Sequence, residues 1–195
     1  MFLVMKILLS FFVFFLISCS ENVLDKKYTY SEEQNLFLET LGWAGFEPSF
    51  IETTSLKENL HVIFGYGGNI LVSIGKDGTL IVDSQFPDSS PVILRKIKEL
   101  GGEKVDFVIN THFHFDHAEG NRAYGPMGAD IYAHENTLDY FREGAYINLV
   151  DIGWLQQPYE KDAIPNILYK EKLTLEINDH VAVSYTHLTL PTNSS

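Results

Sequence analysis

The chain has 195 residues, which is enough for one domain with a short additional segment. Hydrophobic residues make up 45% of it, a proportion ordinary for a globular protein and sufficient for a buried core. The 26 acidic and 14 basic residues give a net charge of -12. This charge argues against a nucleic-acid partner, because such proteins need a basic face to neutralise phosphates.

The N-terminus, MFLVMKILLSFFVFFLISCS, has one basic residue, Lys6, followed by an apolar run over residues 7–17. As a helix this run would be about 16 Å long, too short for a bilayer core of about 30 Å but typical of a secretory signal peptide. Its end, LISC, resembles the lipobox of bacterial lipoproteins, in which cleavage precedes a lipid-carrying cysteine. The resemblance predicts a signal peptide over residues 1–18, lipidation of Cys19, and an exported protein anchored to a bacterial membrane on its periplasmic or cell-surface side. The alternative is an ordinary signal peptide or short anchor with a chance cysteine.

Residues 19–55 are polar and mixed, and within them SEEQNLFLETLG predicts a short helix with Ser31 as its N-cap. A domain is predicted over residues 56–182. Its runs NILVSIG and TLIVDSQ are apolar and β-branched, and the Asp-Gly pair between them predicts a hairpin. The segments SPVILRKIKELGG and ENTLDYFREG predict helices, while HVIFG, VDFVIN, ADIYAH and ILYKEKLTLEIND predict strands. This order predicts a layered α/β fold.

The segment NTHFHFDHAEGN places three histidines and an aspartate just beyond the strand VDFVIN. In layered α/β proteins, sites are commonly built from loops at the carboxyl ends of strands. His112 and His114 share one side of an extended chain and can converge on one metal ion. Asp116 and His117 follow a turn and point elsewhere, which suits a second ion nearby. The alternative is a histidine-rich surface tract, and the phenylalanines between the histidines argue against it.

The same segment resembles the signature of the metallo-β-lactamase superfamily, Thr-His-x-His-x-Asp-His followed by a turn of glycine and asparagine. The resemblance extends from about residue 60 to about residue 181 and includes TLIVDSQ, where the family has an aspartate. It implies an αββα sandwich, of which this chain holds only the N-terminal part. The family's third histidine of the first site, a bridging aspartate or cysteine, and a last histidine would follow later in the chain.

The resemblance also implies the residue roles. His112 and His114 would bind the first of two zinc ions, and Asp116 and His117 the second. Asp116 would also act in catalysis by holding the bridging water and moving protons. Asp83 would support the metal-binding loop, with a plain strand-end turn former as the alternative. Another residue, Glu119, departs from the glycine common at its position and is expected at the rim of the site without a catalytic role.

The implied function is a zinc-dependent hydrolase that acts on a small molecule. A metal-bound hydroxide would attack an ester, thioester, lactam or phosphodiester-type substrate. One alternative is an exported zinc-binding lipoprotein without catalysis. Another is a redox protein that holds iron in the same fold, although a histidine at position 114, rather than a glutamate, favours zinc.

The C-terminal stretch VSYTHLTLPT is similar to the translation of one reading frame of a transposon-based sequencing adapter. Residues 183–195 are therefore predicted to be an adapter-derived artefact, with a genuine strand and loop as the alternative. The native protein is expected to continue beyond Ala182, and the truncated chain is expected to be inactive. His187 is accordingly not assigned as a ligand. Long-read sequencing across the codon for Ala182 tests this prediction.

Overall fold

The computed structural model describes residues 28–43, 51–149 and 152–186, so the predicted lipidation site Cys19 and also His187 lie outside the described residues. The strands, in chain order, are β1 Glu52–Lys57, β2 Leu60–Phe64, β3 Ile70–Gly75, β4 Gly78–Val82, β5 Phe107–Ile109, β6 Asp130–His134, β7 Ala145–Leu149, β8 Ile152–Gln156, β9 Ile167–Tyr169, β10 Lys172–Ile177 and β11 His180–Tyr185. The α-helices are α1 Glu32–Thr40, α2 Ser90–Glu99, α3 Phe115–Ala118, α4 Asn121–Tyr124 and α5 Leu138–Glu143. Short 3-10 turns cover Pro87–Ser89, Glu135–Thr137 and Lys161–Ala163. None of the helices in these ranges is long and apolar enough to cross a membrane.

One mixed sheet of seven strands, in the order β1-β2-β3-β4-β5-β6-β9, forms the centre of the fold. The first four strands are antiparallel, and β4, β5, β6 and β9 are parallel. Gly75 pairs with Gly78, which confirms the hairpin predicted from the Asp-Gly pair. Strand β1 was not predicted, because most of its side chains are exposed and its sequence lacks an alternating apolar pattern.

The sheet is covered on both faces. On one face, α2 packs Ile93 and Ile97 against strand residues that include Ile81 and Val108. On the other face, the separate hairpin β10–β11 packs side chains such as Ile177 against the residues that alternate with these along the strands. This order of helix, sheet and second sheet is the N-terminal part of an αββα sandwich, as predicted.

The predicted helix α1 begins with a capping box, in which Ser31 and Gln34 each accept a hydrogen bond from the other's backbone N–H. Phe37 and Leu38 of this helix are buried in a cluster with Trp154 of β8. The N-terminal segment therefore contributes to the core of the domain. The sheet itself begins at Glu52, four residues before the domain boundary predicted at residue 56.

Strand β11 extends to Tyr185 and pairs along its length with β10. Three residues of the predicted adapter-derived segment, Val183 to Tyr185, therefore lie in a strand. A regular strand conformation does not report the origin of the codons, because any chain of alternating character can extend a hairpin. The adapter origin of residues 183–195 stays a prediction.

Candidate metal centre

The histidine-rich segment starts directly after β5, where Asn110 and Asn121 close it at its base. Asn110 Nδ2 donates to Asn121 Oδ1 at 3.1 Å, and Asn121 Nδ2 donates to Asn110 Oδ1 at 2.7 Å. Both side chains are buried, so each amide satisfies the other. The sequence analysis missed this pair, although the two asparagines flank the motif symmetrically. Their bonds hold the ends of the loop together at the edge of the sheet.

The two phenylalanines between the histidines anchor the loop to the core. Phe115 is fully buried and stacks on Trp154, with ring centroids 4.4 Å apart. Phe113 stacks on Tyr140 at 3.8 Å with nearly parallel planes. Phe115 opens the short helix α3, and His114 is its N-cap residue. Because alternate residues take the apolar contacts, the polar side chains of the motif are left for the open side.

Asp83 follows β4 and reaches the motif from the neighbouring strand. Its Oδ1 accepts hydrogen bonds from the backbone N–H and the hydroxyl of Thr111 at 2.8 and 2.9 Å. Its Oδ2 lies 2.7 Å from His117 Nδ1. The Asp83 side chain is 4% exposed and its backbone has a φ of 65°, a left-handed conformation that is uncommon for a residue other than glycine. Such strain is typical of functional sites, and the predicted supporting position of Asp83 agrees with these contacts.

The hydrogen bond to Asp83 also sets which nitrogen of His117 faces the site. With Nδ1–H donated to the carboxylate, Nε2 keeps its lone pair, and it lies 3.5 Å from Asp116 Oδ2. Two ligand atoms of one tetrahedral zinc, each about 2.0–2.2 Å from the metal, are roughly 3.3–3.5 Å apart. The donor chemistry and spacing of this pair therefore fit a single ion.

The three imidazole rings of the motif lie side by side. The ring centroid of His112 is 4.7 Å from that of His114 and 4.2 Å from that of His117. His117 thus lies against His112, and the expectation that it points elsewhere is wrong, because α3 turns the chain back. Within residues 28–43, 51–149 and 152–186, no three His, Cys, Asp or Glu side chains are arranged to hold a metal ion. The division into two zinc sites stays a prediction.

The environment of the rings changes their pKa values in opposite directions. Burial, together with the neighbouring rings of His117 and His114, lowers the pKa of His112. Burial also acts to lower the pKa of His117, but the hydrogen bond and charge of Asp83 and the charge of Asp116 outweigh it and raise that pKa. A lowered pKa keeps His112 in the neutral form that binds metal, because only an unprotonated nitrogen has a lone pair to donate.

A second segment packs directly on the motif and was interpreted only as a turn from the sequence. This glycine-rich loop, residues 65–68, follows β2. A Cβ atom placed on Gly67 would lie 2.4 Å from Asp116 Cβ, and one on Gly68 would lie 2.5 Å from His117 Cε1. Neither position has room for a side chain, so the backbone itself forms a wall behind the predicted ligands. The pair of glycines was the available signal.

Glu119 does not lie at the rim of the site, as was expected, but behind it. The side chain is 5% exposed, and its Oε1 accepts a hydrogen bond from Trp154 Nε1 at 3.4 Å. Burial raises the pKa of Glu119 to about 7, and the charge of Arg122 and the bond from Trp154 act against this rise. The expectation failed because α3 turns this position inward, towards the aromatic cluster that contains Phe115.

The fold and the motif together define a layered α/β protein with a candidate metal centre at the carboxyl ends of neighbouring strands. The sequence model of the metallo-β-lactamase superfamily matches residues 64–195. The chain belongs to the metallo-β-lactamase superfamily and so has a hydrolase fold.

Solved structures of this fold are similar to the chain at low sequence identity. The subclass B3 metallo-β-lactamase BJP-1 of Bradyrhizobium japonicum is 24% identical, with a TM-score of 0.53 over 67% of this chain and 49% of that protein. FEZ-1 of Legionella gormanii is 17% identical, with a TM-score of 0.54 over 66% and 50%. A B3 metallo-β-lactamase described as having an active-site glutamic acid is 18% identical, with a TM-score of 0.56 over 82% and 56%. The chain thus spans about half the length of these structures.

Proposed function

We propose that this protein is a zinc-dependent hydrolase of small molecules, with His112, His114, Asp116 and His117 as metal ligands. The observation that carries the proposal is the pair His117 Nε2 and Asp116 Oδ2, which lie 3.5 Å apart while Asp83 holds the opposite nitrogen of the ring. A carboxylate that orients a histidine in this way is the usual partner of a metal-ligating imidazole. Nothing in the packing of a plain surface loop would require it.

When bound, zinc would polarise the scissile group and lower the pKa of water so that a nucleophile exists at neutral pH. The chain's own residues have separate tasks. Asp83 fixes the tautomer of His117 by accepting its Nδ1 proton. Asp116, which is partly buried, is placed beside that ring and can hold a proton on its carboxylate during the reaction. Phe113 and Phe115 keep the loop in place through their ring contacts.

The substrate class that we propose is an ester, thioester, lactam or phosphodiester of low molecular weight. The similar solved structures are described as metallo-β-lactamases, which makes a lactam one member of this set. At identities of 17–24% the likeness supports the fold, and the four predicted ligands are compatible with each of these substrates. The net charge of -12 argues against a polyanionic substrate such as nucleic acid.

The experiment that tests the proposal uses the protein encoded at the re-sequenced locus. Metal content after purification and rates on a panel of the four substrate classes are measured for the wild type, His114→Ala and Asp116→Asn. His180→Gln is the matched control, because this histidine bonds Asn59 at the β10–β11 hairpin and belongs to no predicted ligand set. We expect zinc in the wild type and the control, and loss of metal or of hydrolysis in the two motif variants. Zinc without turnover of any substrate would favour a binding protein, and iron with a visible colour would favour a redox protein.

A further inference from the structure

Gln85 is a fully buried residue with a strained backbone in the segment that follows β4. Its φ is 53°, a left-handed conformation that glycine adopts at low cost and other residues rarely adopt. A non-glycine residue persists in such a conformation when its surroundings over-determine it, and such residues cluster at functional sites. The side chain of Gln85 therefore calls for a role that glycine could not fill.

The contacts of Gln85 lead to two sides of the candidate metal centre. Its Nε2 donates to the carbonyl oxygen of Gly68 in the glycine-rich loop at 2.7 Å. Its own carbonyl oxygen accepts from the backbone N–H of Gly120, at the end of the histidine motif, at 2.6 Å. Gln85 thus bonds both segments that meet at the predicted ligands. Its Oε1 is buried and has no hydrogen-bond partner in the part of the chain that the structure describes, so the donor is the useful half of the amide.

The position of Gly68 is coupled in turn to Asp116 and His117. The Gly68 N–H donates to the carbonyl oxygen of Asp116 at 3.2 Å. The lack of space for a Cβ at Gly68, against the His117 ring, means that a shift of this backbone by a few tenths of an ångström moves either the ring or the loop. A chain of contacts therefore runs from the Gln85 amide through Gly68 to both predicted ligands.

We propose that Gln85 is a positioning residue for the metal centre, which sets the location of His117 and Asp116 through its hydrogen bond to Gly68. This inference rests on the proposed metal-binding function of those two residues. The Nε2 donor, rather than the volume of the side chain, carries the effect. The strained backbone at Gln85 is retained because glycine would relieve the strain but lose the donor.

Three variants separate positioning from simple stability. Gln85→Met keeps the approximate volume and the strained backbone but removes the donor, and Gln85→Gly removes the donor while relieving the strain. Gln34→Met is the matched control, because Gln34 is also buried and also donates to a backbone carbonyl, that of Leu155, at 2.9 Å but away from the motif. The apparent Kd for Co²⁺ is measured by chelator competition, together with the visible d–d absorption of the bound ion. We expect both Gln85 variants to bind Co²⁺ about tenfold more weakly with an altered spectrum, and the control to remain within twofold of the wild type.

A second readout does not depend on metal. Hydrogen–deuterium exchange of the metal-free protein should be faster in peptides covering residues 65–68 and 116–120 in both Gln85 variants, and unchanged there in Gln34→Met. Wild-type Co²⁺ affinity and spectrum in Gln85→Met would overturn the proposal, as would unchanged exchange in the two segments. If the wild type itself binds no Co²⁺ or Zn²⁺, the proposed function fails, and the exchange data alone then decide whether Gln85 holds the loop against the motif.

Discussion

Asp83 and His117 are 34 positions apart in the chain and are joined by a hydrogen bond of 2.7 Å between Oδ2 and Nδ1. The parallel pairing of β4 with β5 makes this contact possible, because it brings the carboxyl ends of the two strands to the same edge of the sheet. The bond assigns the proton of His117 to Nδ1 and leaves Nε2 as the metal-facing atom. The orientation of a predicted ligand thus depends on a residue from another strand.

Removal of the Asp83 carboxylate should weaken metal binding. In Asp83→Ala, His117 loses the acceptor that fixes its tautomer, and the Thr111 N–H and hydroxyl lose theirs. Outer-sphere partners of this kind contribute about 10- to 100-fold to metal affinity, so we expect the Kd for Zn²⁺ to rise by that factor. The measurement is competition with a chromophoric chelator. Asp130→Ala, which removes a carboxylate that accepts from Asn166 instead, should leave the Kd unchanged. An unchanged Kd in Asp83→Ala would reduce Asp83 to a turn former.

A methyl group on Gly68 should displace His117. The added Cβ would lie 2.5 Å from Cε1 and 2.6 Å from Nδ1 of the ring, well inside van der Waals contact. We therefore expect Gly68→Ala to lower metal affinity and to disturb the bond between His117 and Asp83, seen as a shift of the His117 ring resonances in NMR spectra.

The control for this substitution is Gly128→Ala. Gly128 has a positive φ of 89° and no neighbouring atom within 4 Å, so its substitution introduces backbone strain without a contact to the motif. It should reduce the free energy of unfolding and leave metal affinity unchanged. Equal metal affinities for the two variants would show that the backbone of the glycine-rich loop moves freely away from the ring.

The Phe115 ring should contribute strongly to stability, since it is fully buried and stacks on Trp154. Substitution of a buried phenylalanine by alanine commonly costs about 3–5 kcal/mol, because apolar contact is lost and a cavity remains. We expect a decrease of that size in the free energy of unfolding of Phe115→Ala, measured by urea denaturation. Phe64→Ala, at a position 39% exposed, should cost about 1 kcal/mol or less. Similar losses for the two variants would contradict the anchoring role of Phe115.

The predicted lipid anchor has a direct test outside the described part of the chain. Cys19→Ser should abolish incorporation of labelled fatty acid and move the protein from the membrane fraction to the soluble exported fraction, because the thiol is the site of lipid attachment. Unchanged labelling would point to attachment elsewhere. Unchanged membrane association without labelling would point to an uncleaved N-terminal anchor.

The sequence was sufficient to predict the elements that have strong local signals. The capping box at Ser31, the Asp-Gly hairpin and the amphipathic helix α2 are each specified by residues close together in the chain, and the structure agrees with all three. The clustering of the motif histidines was also predictable, since its spacing is local. The hairpin β7–β8 was missed, because its strands are short and their inner side chains, such as Trp154, are defined by packing on α1.

The contacts that organise the candidate site are mostly long-range, and this limited the prediction. The inward turn of Glu119 depends on α3 and on Trp154, which is 35 positions away. The bond from Gln85 to Gly68 depends on how the loop after β2 meets the end of β4. No periodicity or propensity reports such encounters, because they arise only when the sheet has formed. A pair of glycines or a lone glutamine has many structural uses in a sequence.

His61 supplies a pH-dependent contribution to stability that is separate from the motif. It lies within β2, is 3% exposed, and has Nδ1 2.9 Å from Ser55 Oγ. Burial lowers its pKa below the ordinary value of 6.5. Below that pH the unfolded chain therefore binds more protons at this position than the folded chain does, and the free energy of unfolding falls as the pH decreases through this range. We expect His61→Gln to show a shallower loss of stability than the wild type between pH 7.5 and pH 5.5, both values chosen to bracket an ordinary histidine pKa of about 6.5. The measurement is urea denaturation of the metal-free proteins in the presence of a chelator, so that proton release from metal ligands does not contribute. The same slope in both proteins would mean that His61 is protonated equally in the folded and unfolded states, and that water reaches its ring in β2.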